Sequence, residues 1–379
     1  MAIRFPAWTG RAALVVAGVL IAAVLLLAWL HANAIRADLM IPRANDGEFD
    51  LVVESYQAGR TIVNRTPESD REGLWGLDGE TSYAQVSTIV RVTDTSVERG
   101  VQSLVSEFEQ GDIARIDTDA YAGDPQSAHG IGWEELRTPS DIGPHDAWFV
   151  DGRRATWVLF VHGRGNDRLE ESLRLLPSLV EQGFPVMSIA IRNDVNATAS
   201  DSGLRYWGLE EWKDLDAAIE LGVRKGAKDF VVVGSGFGSS VVSVFLHQSQ
   251  NVDLVRGVIF ESPVLDIESV AIAYAEARGT PGPIAWLGRR LVAVRFGMDW
   301  KALDQTRRTA EFDVPILLLY GAKDPVTDVS VFEQFAARIP HLVIPERFEQ
   351  AGHTDLWNID RGRYEKAIAD FLLQTAGPE

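Results

Sequence analysis

No cysteine occurs in the 379 residues, which removes disulfides, thiolate metal sites and cysteine nucleophiles together. That absence leaves the compartment open. Basic charge is also short: 36 Lys and Arg face 54 Asp and Glu, a formal charge of −18. The deficit is uneven. Arg4, Arg11, Arg36 and Arg43 against Asp38 give residues 1–43 a balance of +3, so the remainder carries −21. An acidic body of that size speaks against nucleic acid or anionic lipid as its partner. Also missing are a Walker-type phosphate loop, a dinucleotide fingerprint and a metal-ligand histidine pair at helical spacing, so no cofactor and no metal is implied. There is no internal repeat and no low-complexity tract. What the chain does have is apolar content, 46% of residues. That is ample for a large core and excludes a disordered or fibrous class. The length suits about two domains.

From Ala12 to Leu30 the run AALVVAGVLIAAVLLLAWL carries no charge over 19 residues. As a helix it covers roughly 28 Å, close to the hydrocarbon thickness of a bilayer. Trp8 and Trp29 flank it, where amphipathic rings prefer to sit. Residues 1–34 are therefore expected to form a single-pass anchor in the cell membrane, with the body outside the cytoplasm. A cleaved signal peptide competes, because Ala32-Asn33-Ala34 fits a small-x-small cleavage site and would release a secreted body near Ala34. Signal h-regions, however, usually span only about 7–15 residues. A buried soluble helix is the third reading.

Residues 35–49 read as a polar stalk with Pro42 and Asn45-Asp46-Gly47. Residues 50–130 read as a β-rich region. In it, Val86, Val90 and Val92 fall on one face of an alternating run, as a half-buried strand requires. Asp117, Asp119 and Asp124 cluster near Tyr121; without a glycine-containing loop and closing glutamate they read as a solvated turn rather than a Ca²⁺ site.

From residue 131 to 379 the pattern changes. The apolar runs Trp157–Val161, Val186–Ala190, Phe230–Val233, Val258–Phe260 and Ile316–Tyr320 alternate with helical stretches, among them Arg168–Gln182 and Leu209–Arg224. Continuous apolar strands alternating with helices predict a doubly wound, mostly parallel α/β sheet covered on both faces. Chemistry in such sheets gathers at the carboxyl ends of the strands. The residues there are His162-Gly163-Arg164-Gly165, Gly234-Ser235-Gly236-Phe237-Gly238, Asp324 after Gly321, and His353 after Gly352.

That set, in that order, resembles the α/β-hydrolase superfamily. More closely, HGRGNDRLEESLRLLPSL, IRNDVNATAS, WGLEEWKDLDAAI, VRGVIFESPVLD and AGHTDLWNIDRGRY resemble a group of membrane-anchored bacterial α/β-hydrolases with an N-terminal helix and a β-rich preamble. The resemblance implies an outward-facing acyl or ester hydrolase and does not supply a substrate. It implies His353 as general base, Asp324 as the acid that orients it, and backbone N–H groups of Arg164 and Phe237 as oxyanion hole.

The departure lies at the elbow, where the family pattern is small-x-Ser-x-small. Gly234 and Gly238 fix the register, and Gly236 stands at the nucleophile position without a side chain. Ser235 is one place early, and alternation along a strand points it away from where Asp324 and His353 converge. It is a poor substitute. Ser239 and Ser240 lie past the turn.

Blander readings stand beside these. Asp324-Pro325 could be only a turn, His353 a buried structural histidine, and His162 a brace for its loop. Arg192-Asn193-Asp194 could line a pocket or form a structural ion pair. Residues 267–312 read as a helical cap, with Ile284, Trp286, Leu287, Leu291, Val292, Val294 and Phe296 at helical spacing, or as a core-packing helix pair. A small acyl or lipid-like ligand would suit that apolar content. Three functions remain open: a hydrolase acting without the usual serine, a non-catalytic binding or scaffold protein, and an interaction module built on the β-rich region.

Overall fold

The computed structural model describes residues 7–42, 47–57, 59–163, 169–195 and 197–377, with side chains from residue 14 onward. Arg4, Arg43, Asn45, Asp46, Arg164 and Gly165 lie outside the described residues, as do the side chains of Trp8 and Arg11.

Helix α1 (Ala7–Ile35) is long and apolar enough to cross a membrane. Leu14 to Leu27 are exposed, whereas Ala28, His31, Ala32 and Ile35 are buried against the body. The expected stalk does not begin free of the body. Arg36–Met40 continue as a π-helical turn, and Leu39 and Met40 are buried in the core of the main domain. The reason is local: the apolar pair follows Ile35 at a spacing that extends the buried stripe of α1.

Strands β1 (Leu51–Gln57), β2 (Arg60–Asn64), β3 (Trp75–Gly79), β4 (Tyr83–Val92), β5 (Ser96–Ser106) and β6 (Ile113–Asp117) close into a barrel in the order β1-β2-β5-β4-β3-β6. Leu51, Val53, Val63, Trp75 and Leu77 fill it. Val86 is also inside, but Val90 and Val92 are exposed. The β4–β5 register slips between Val86 and Ile89 and again before Arg91. A one-residue bulge moves every later side chain to the other face, which the even spacing of the valines does not reveal. The aspartates at the end of β6 and after it are not a solvated turn either. Asp119 is buried, Asp117 accepts the Tyr83 hydroxyl at 2.6 Å, and Asp124 caps the short helix α2 (Pro125–His129).

The main sheet contains β7 (Glu134–Ser140), β8 (Gly143–Val150), β9 (Thr156–Val161), β10 (Val186–Ile189), β11 (Asp229–Ser235), β12 (Val255–Glu261), β13 (Ile316–Gly321) and β14 (Val343–Phe348). Their order is β7-β8-β10-β9-β11-β12-β13-β14, with β7 and β8 antiparallel at one edge and the rest parallel. The run Arg168–Gln182 is not one helix. Its described part is a 3₁₀ segment over Leu169–Arg174 and the short helix α3 (Leu176–Glu181), because Pro177 cannot continue an α-helix begun upstream. Helices α4 (Trp212–Arg224), α5 (Phe237–Gln248) and α8 (Val329–Arg338) cover one face of the sheet. Helix α3 and the C-terminal α10 (Arg361–Ala376), preceded by α9 (Leu356–Ile359), cover the other. Adjacent strand residues divide between the two cores: Leu159 and Val161 face one, Val158 and Phe160 the other.

Between β12 and β13 stand α6 (Ile267–Ala277) and α7 (Gly282–Phe296). Helix α7 packs along α1. Of its expected apolar stripe Val292 is buried, but Trp286 and Val294 are exposed.

Candidate active site

The buried run of β11 ends in a sharp turn into α5, and glycine is required there twice. A Cβ on Gly238 would collide with the Val161 carbonyl, so only glycine lets α5 start so close to β9. Gly236 has φ 45° and ψ −107°, a conformation that side chains rarely adopt. Its N–H donates to the Glu261 carbonyl at 2.9 Å, which ties the turn to β12.

His353 follows β14, and Asp324 follows β13. The His353 Nδ1–H donates to Asp324 Oδ2 at 2.8 Å. The Asp324 side chain is fully buried and accepts the N–H groups of Val326 and Thr327 at 2.7 and 3.0 Å. A carboxylate only accepts, so Nδ1 carries the proton and Nε2 is left facing the turn. It faces Gly236: a Cβ built on that glycine would lie 3.3 Å from His353 Nε2. Thr354, in the left-handed region at φ 55°, anchors the histidine loop by donating its N–H to Ser262 Oγ at 3.0 Å. Asp355 accepts the Gly352 N–H at 2.7 Å and pairs with Arg71 of the β3-flanking loop.

Ser235 points elsewhere. Its Oγ donates to Glu171 Oε1 at 2.5 Å, and Glu171 Oε2 accepts the Gly163 N–H at 2.6 Å. Ser239 and Ser240 donate to the carbonyls of Gly234 and Val264 at 2.5 and 2.9 Å, which accounts for both hydroxyls. Phe237 is the first residue of α5 and is buried; the N–H there has no intrahelical acceptor. Arg164, the other expected oxyanion residue, lies outside the described residues.

Beneath the turn lies a buried ionic cluster. Arg174 reaches Glu171 at 3.1 Å and Glu261 at 3.4 Å, and donates to the Thr354 carbonyl at 2.9 Å. Tyr364 donates to Glu261 Oε2 at 2.9 Å, while Oε1 has no partner among the described residues. Burial pushes the Glu261 carboxyl up to about 7, with Arg174 pulling the other way. Sequence reading missed this cluster. Glu261 did leave a signal, a glutamate closing the apolar run Val258-Ile259-Phe260. Glu171 left none, since it sits in a stretch that reads as an ordinary polar helix face.

A cavity of about 270 Å³ opens over Gly236. Its ionisable groups are Glu171 and His353, and Trp207, Phe237, Val264 and Val270 supply apolar walls. Val270 belongs to α6, so part of the expected cap borders the cavity. A larger groove of about 900 Å³ runs between the barrel loop Glu68–Glu72 and the Lys323 and Gln350 loops. His353 and Thr118 line both.

His162 is fully buried between two acceptors, Asp194 Oδ2 at 2.7 Å and the Gly163 carbonyl at 2.9 Å. Burial lowers its pKa, but Asp194 raises it more, and the net shift is upward. Such a ring is a brace. Arg192 pairs with Asp214 and Asp141, and Asp194 also holds Arg205 at 2.7 Å, so this stretch is a structural ion network. Among the described residues no group of three or more His, Asp or Glu could hold a metal ion.

Solved structures of similar shape share the architecture. The esterase Pf2001 of Pyrococcus furiosus superposes with a TM-score of 0.55 at 15% identity, covering 68% of this chain and 95% of the esterase. The fold is α/β-hydrolase-like. A puromycin-hydrolyzing peptidase of Mycobacterium tuberculosis, with TM-score 0.54 and 18% identity, matches 86% of this chain and 54% of the peptidase. At such identities the α/β-hydrolase fold is what is shared. A family model described as a domain of unknown function (DUF8805) matches residues 52–117, the span of the barrel. No curated protein matches the chain by sequence.

Proposed function

We propose that this chain is a membrane-anchored protein of the ester- and acyl-hydrolase type whose site binds a small acyl or lipid-like ligand but lacks the serine step of ester hydrolysis. One observation carries the reading: His353 Nε2 lies 3.3 Å from where the Cβ of residue 236 would stand, and that residue is glycine. The α/β-hydrolase fold sets its attacking serine on this strand-to-helix turn. Here the base and its orienting acid are assembled and aimed, and the hydroxyl they would serve is missing.

Glu171 supports the same conclusion. Acyl transfer through a tetrahedral intermediate needs free N–H donors where negative charge develops. The Gly163 N–H, beside the cavity, is committed to the Glu171 carboxylate. A neutral carbonyl ligand is accommodated next to that carboxylate more readily than an oxyanion. The apolar walls suit an acyl chain.

Retention of α1 as an anchor is supported by the burial of Ala32 and Ile35, which cleavage near Ala34 would disrupt. The body is assigned to the outer side of the membrane, as for a single N-terminal anchor carrying a large acidic domain.

The test uses the full chain in detergent with a panel of acyl esters of increasing chain length. The wild type should bind the long-chain members, read as quenching of tryptophan fluorescence through Trp207, and should not turn them over at a serine-esterase rate. A second reading is favoured by the intact His353–Asp324 pair: the histidine activates a water held over Gly236, the water oxygen attacks the ester carbonyl, and its proton passes to Nε2 and on to the leaving alcohol. Slow wild-type turnover that disappears in His353→Ala would establish it.

A further inference from the structure

In a chain of net charge −18, α7 carries Arg289, Arg290 and Arg295 and no acidic residue. Ten residues, from Gly279 to Gly288, lie between Arg278 and Arg289 without a charge. Three contacts fix how α7 lies against α1. Gly288 sits so close to α1 that a Cβ there would meet the Ala28 carbonyl at 3.3 Å and the His31 ring at 2.6 Å. Seven residues on, Arg295 donates to Asn33 Oδ1 at 3.1 Å. Next to it, the Phe296 ring lies 5.6 Å from the Arg36 guanidinium. The two helices therefore run in the same direction, and the start of α7 points toward the amino-terminal, exposed part of α1. Gly282 stands six residues before Gly288, about 9 Å farther along that direction. This places the first two turns of α7 beside Val24 to Leu27, whose side chains are exposed and apolar.

We infer that the first two turns of α7 form a second lipid-contacting element, inserted beside α1 into the interfacial layer of an anionic bilayer. The inference rests on the reading of α1 as a membrane anchor. If the apolar part of α1 lies in lipid, what stands level with it lies at the same depth, and interfacial segments bury about 5–10 Å into the boundary region. The side chains fit. Trp286 is 53% exposed. Its ring lies 5.5 Å from the Arg290 guanidinium, and Trp29 lies 5.5 Å from that of Arg295. Tryptophan with arginine at one level is the composition of a headgroup boundary. Arg289 is paired with Glu268, but Arg290 and Arg295 have no carboxylate partner among the described residues and are left for lipid phosphates. The acidic composition of the whole thus conceals one basic helix. Since α6 also borders the cavity through Val270, the site is held close to the lipid surface.

The absence of cysteine makes the test direct. Single-cysteine variants of the full chain, Leu20→Cys, Trp286→Cys and Val195→Cys, are labelled with an environment-sensitive fluorophore. They are then reconstituted into vesicles of phosphatidylglycerol and phosphatidylcholine, with and without bromine at shallow acyl positions. The Trp286→Cys probe should shift to the blue and lose most of its emission in brominated lipid, while the Val195→Cys probe keeps its emission. Ile284→Cys repeats the reading at a second position. In the Trp286→Cys background, Arg290→Glu with Arg295→Glu should reduce the quenching. Quenching at Leu20→Cys without quenching at Trp286→Cys and Ile284→Cys would overturn the inference and leave the anchor standing. Absence of quenching at all three would overturn both.

Discussion

Gly236→Ser restores the missing hydroxyl, and its consequences can be worked from the structure. The new Cβ would lie 3.3 Å from His353 Nε2, 3.6 Å from Thr354 Cγ2 and 3.9 Å from Gly163 Cα. Only the first contact is tight, and the His353 side chain is 22% exposed and free to give way by a few tenths of an ångström. The main cost is backbone strain at φ 45°, of order 1–3 kcal/mol. At roughly 2–4 °C per kcal/mol for domains of this size, Tm should fall by a few degrees. The gain is in rate. A serine acting with its histidine and acid is worth about a million-fold. Commitment of the Gly163 N–H to Glu171 takes back about a hundred- to a thousand-fold, the usual cost of one lost oxyanion donor. The balance is a gain of about a thousand- to ten-thousand-fold over the wild type. The assay is release of nitrophenol from short-chain esters, alongside thermal unfolding and circular dichroism. A variant with native spectrum and a Tm only a few degrees lower, yet no faster than the wild type, would refute the reasoning.

The buried carboxyls give further expectations. The native pKa of Glu261, about 7, lies above its ordinary 4.5, so this group adds nothing to stability differences below that pH. As pH rises from 4.5 to 7 the unfolded chain releases the proton first, and stability falls by about 3 kcal/mol. Glu261→Gln should therefore gain Tm relative to wild type between pH 5 and 8; a constant difference would contradict the burial argument. Ser235→Ala removes the hydroxyl that Glu171 accepts and should cost about 1–3 kcal/mol in a denaturant titration. Added to Gly236→Ser it should leave ester turnover in place, whereas loss of turnover would make Ser235 the attacking group. Asn358 joins the barrel to the α/β domain by donating to the Leu74 and Thr118 carbonyls at 2.7 and 2.9 Å. Asn358→Ala should lower Tm and speed proteolysis between residues 118 and 124, and an unchanged digestion pattern would show that the joint lies elsewhere.

The α/β sheet was legible because parallel strands buried on both faces must be continuously apolar. The run Trp157–Val161 is β9 but for one residue, and Ile316–Tyr320 is β13 but for one. The hydrogen bond between Asp324 and His353 was implied by the resemblance to the α/β-hydrolases, with both residues at strand ends. The closure of the barrel was not legible. It depends on long-range antiparallel register, and the bulges around Ile89 undo the alternation that sequence offers. The π-helical turn at Arg36–Met40 was hidden because its polar residues suggested a stalk, while Leu39 and Met40 decide the packing. Glu171 was invisible for the opposite reason: a carboxylate in an amphipathic stretch reads as solvated, and only the fold brings it against Ser235 and the Gly163 N–H.

The central claim is that Gly236 occupies the attacking position and that no neighbouring serine replaces it. Labelling of the full wild-type chain with a serine-reactive phosphonate, mapped by peptide mass spectrometry, tests it most directly. No labelled serine in the wild type, with labelling at position 236 in Gly236→Ser, is the predicted result. A phosphonate on Ser235, Ser239 or Ser240 of the wild type, abolished by His353→Ala, would contradict it.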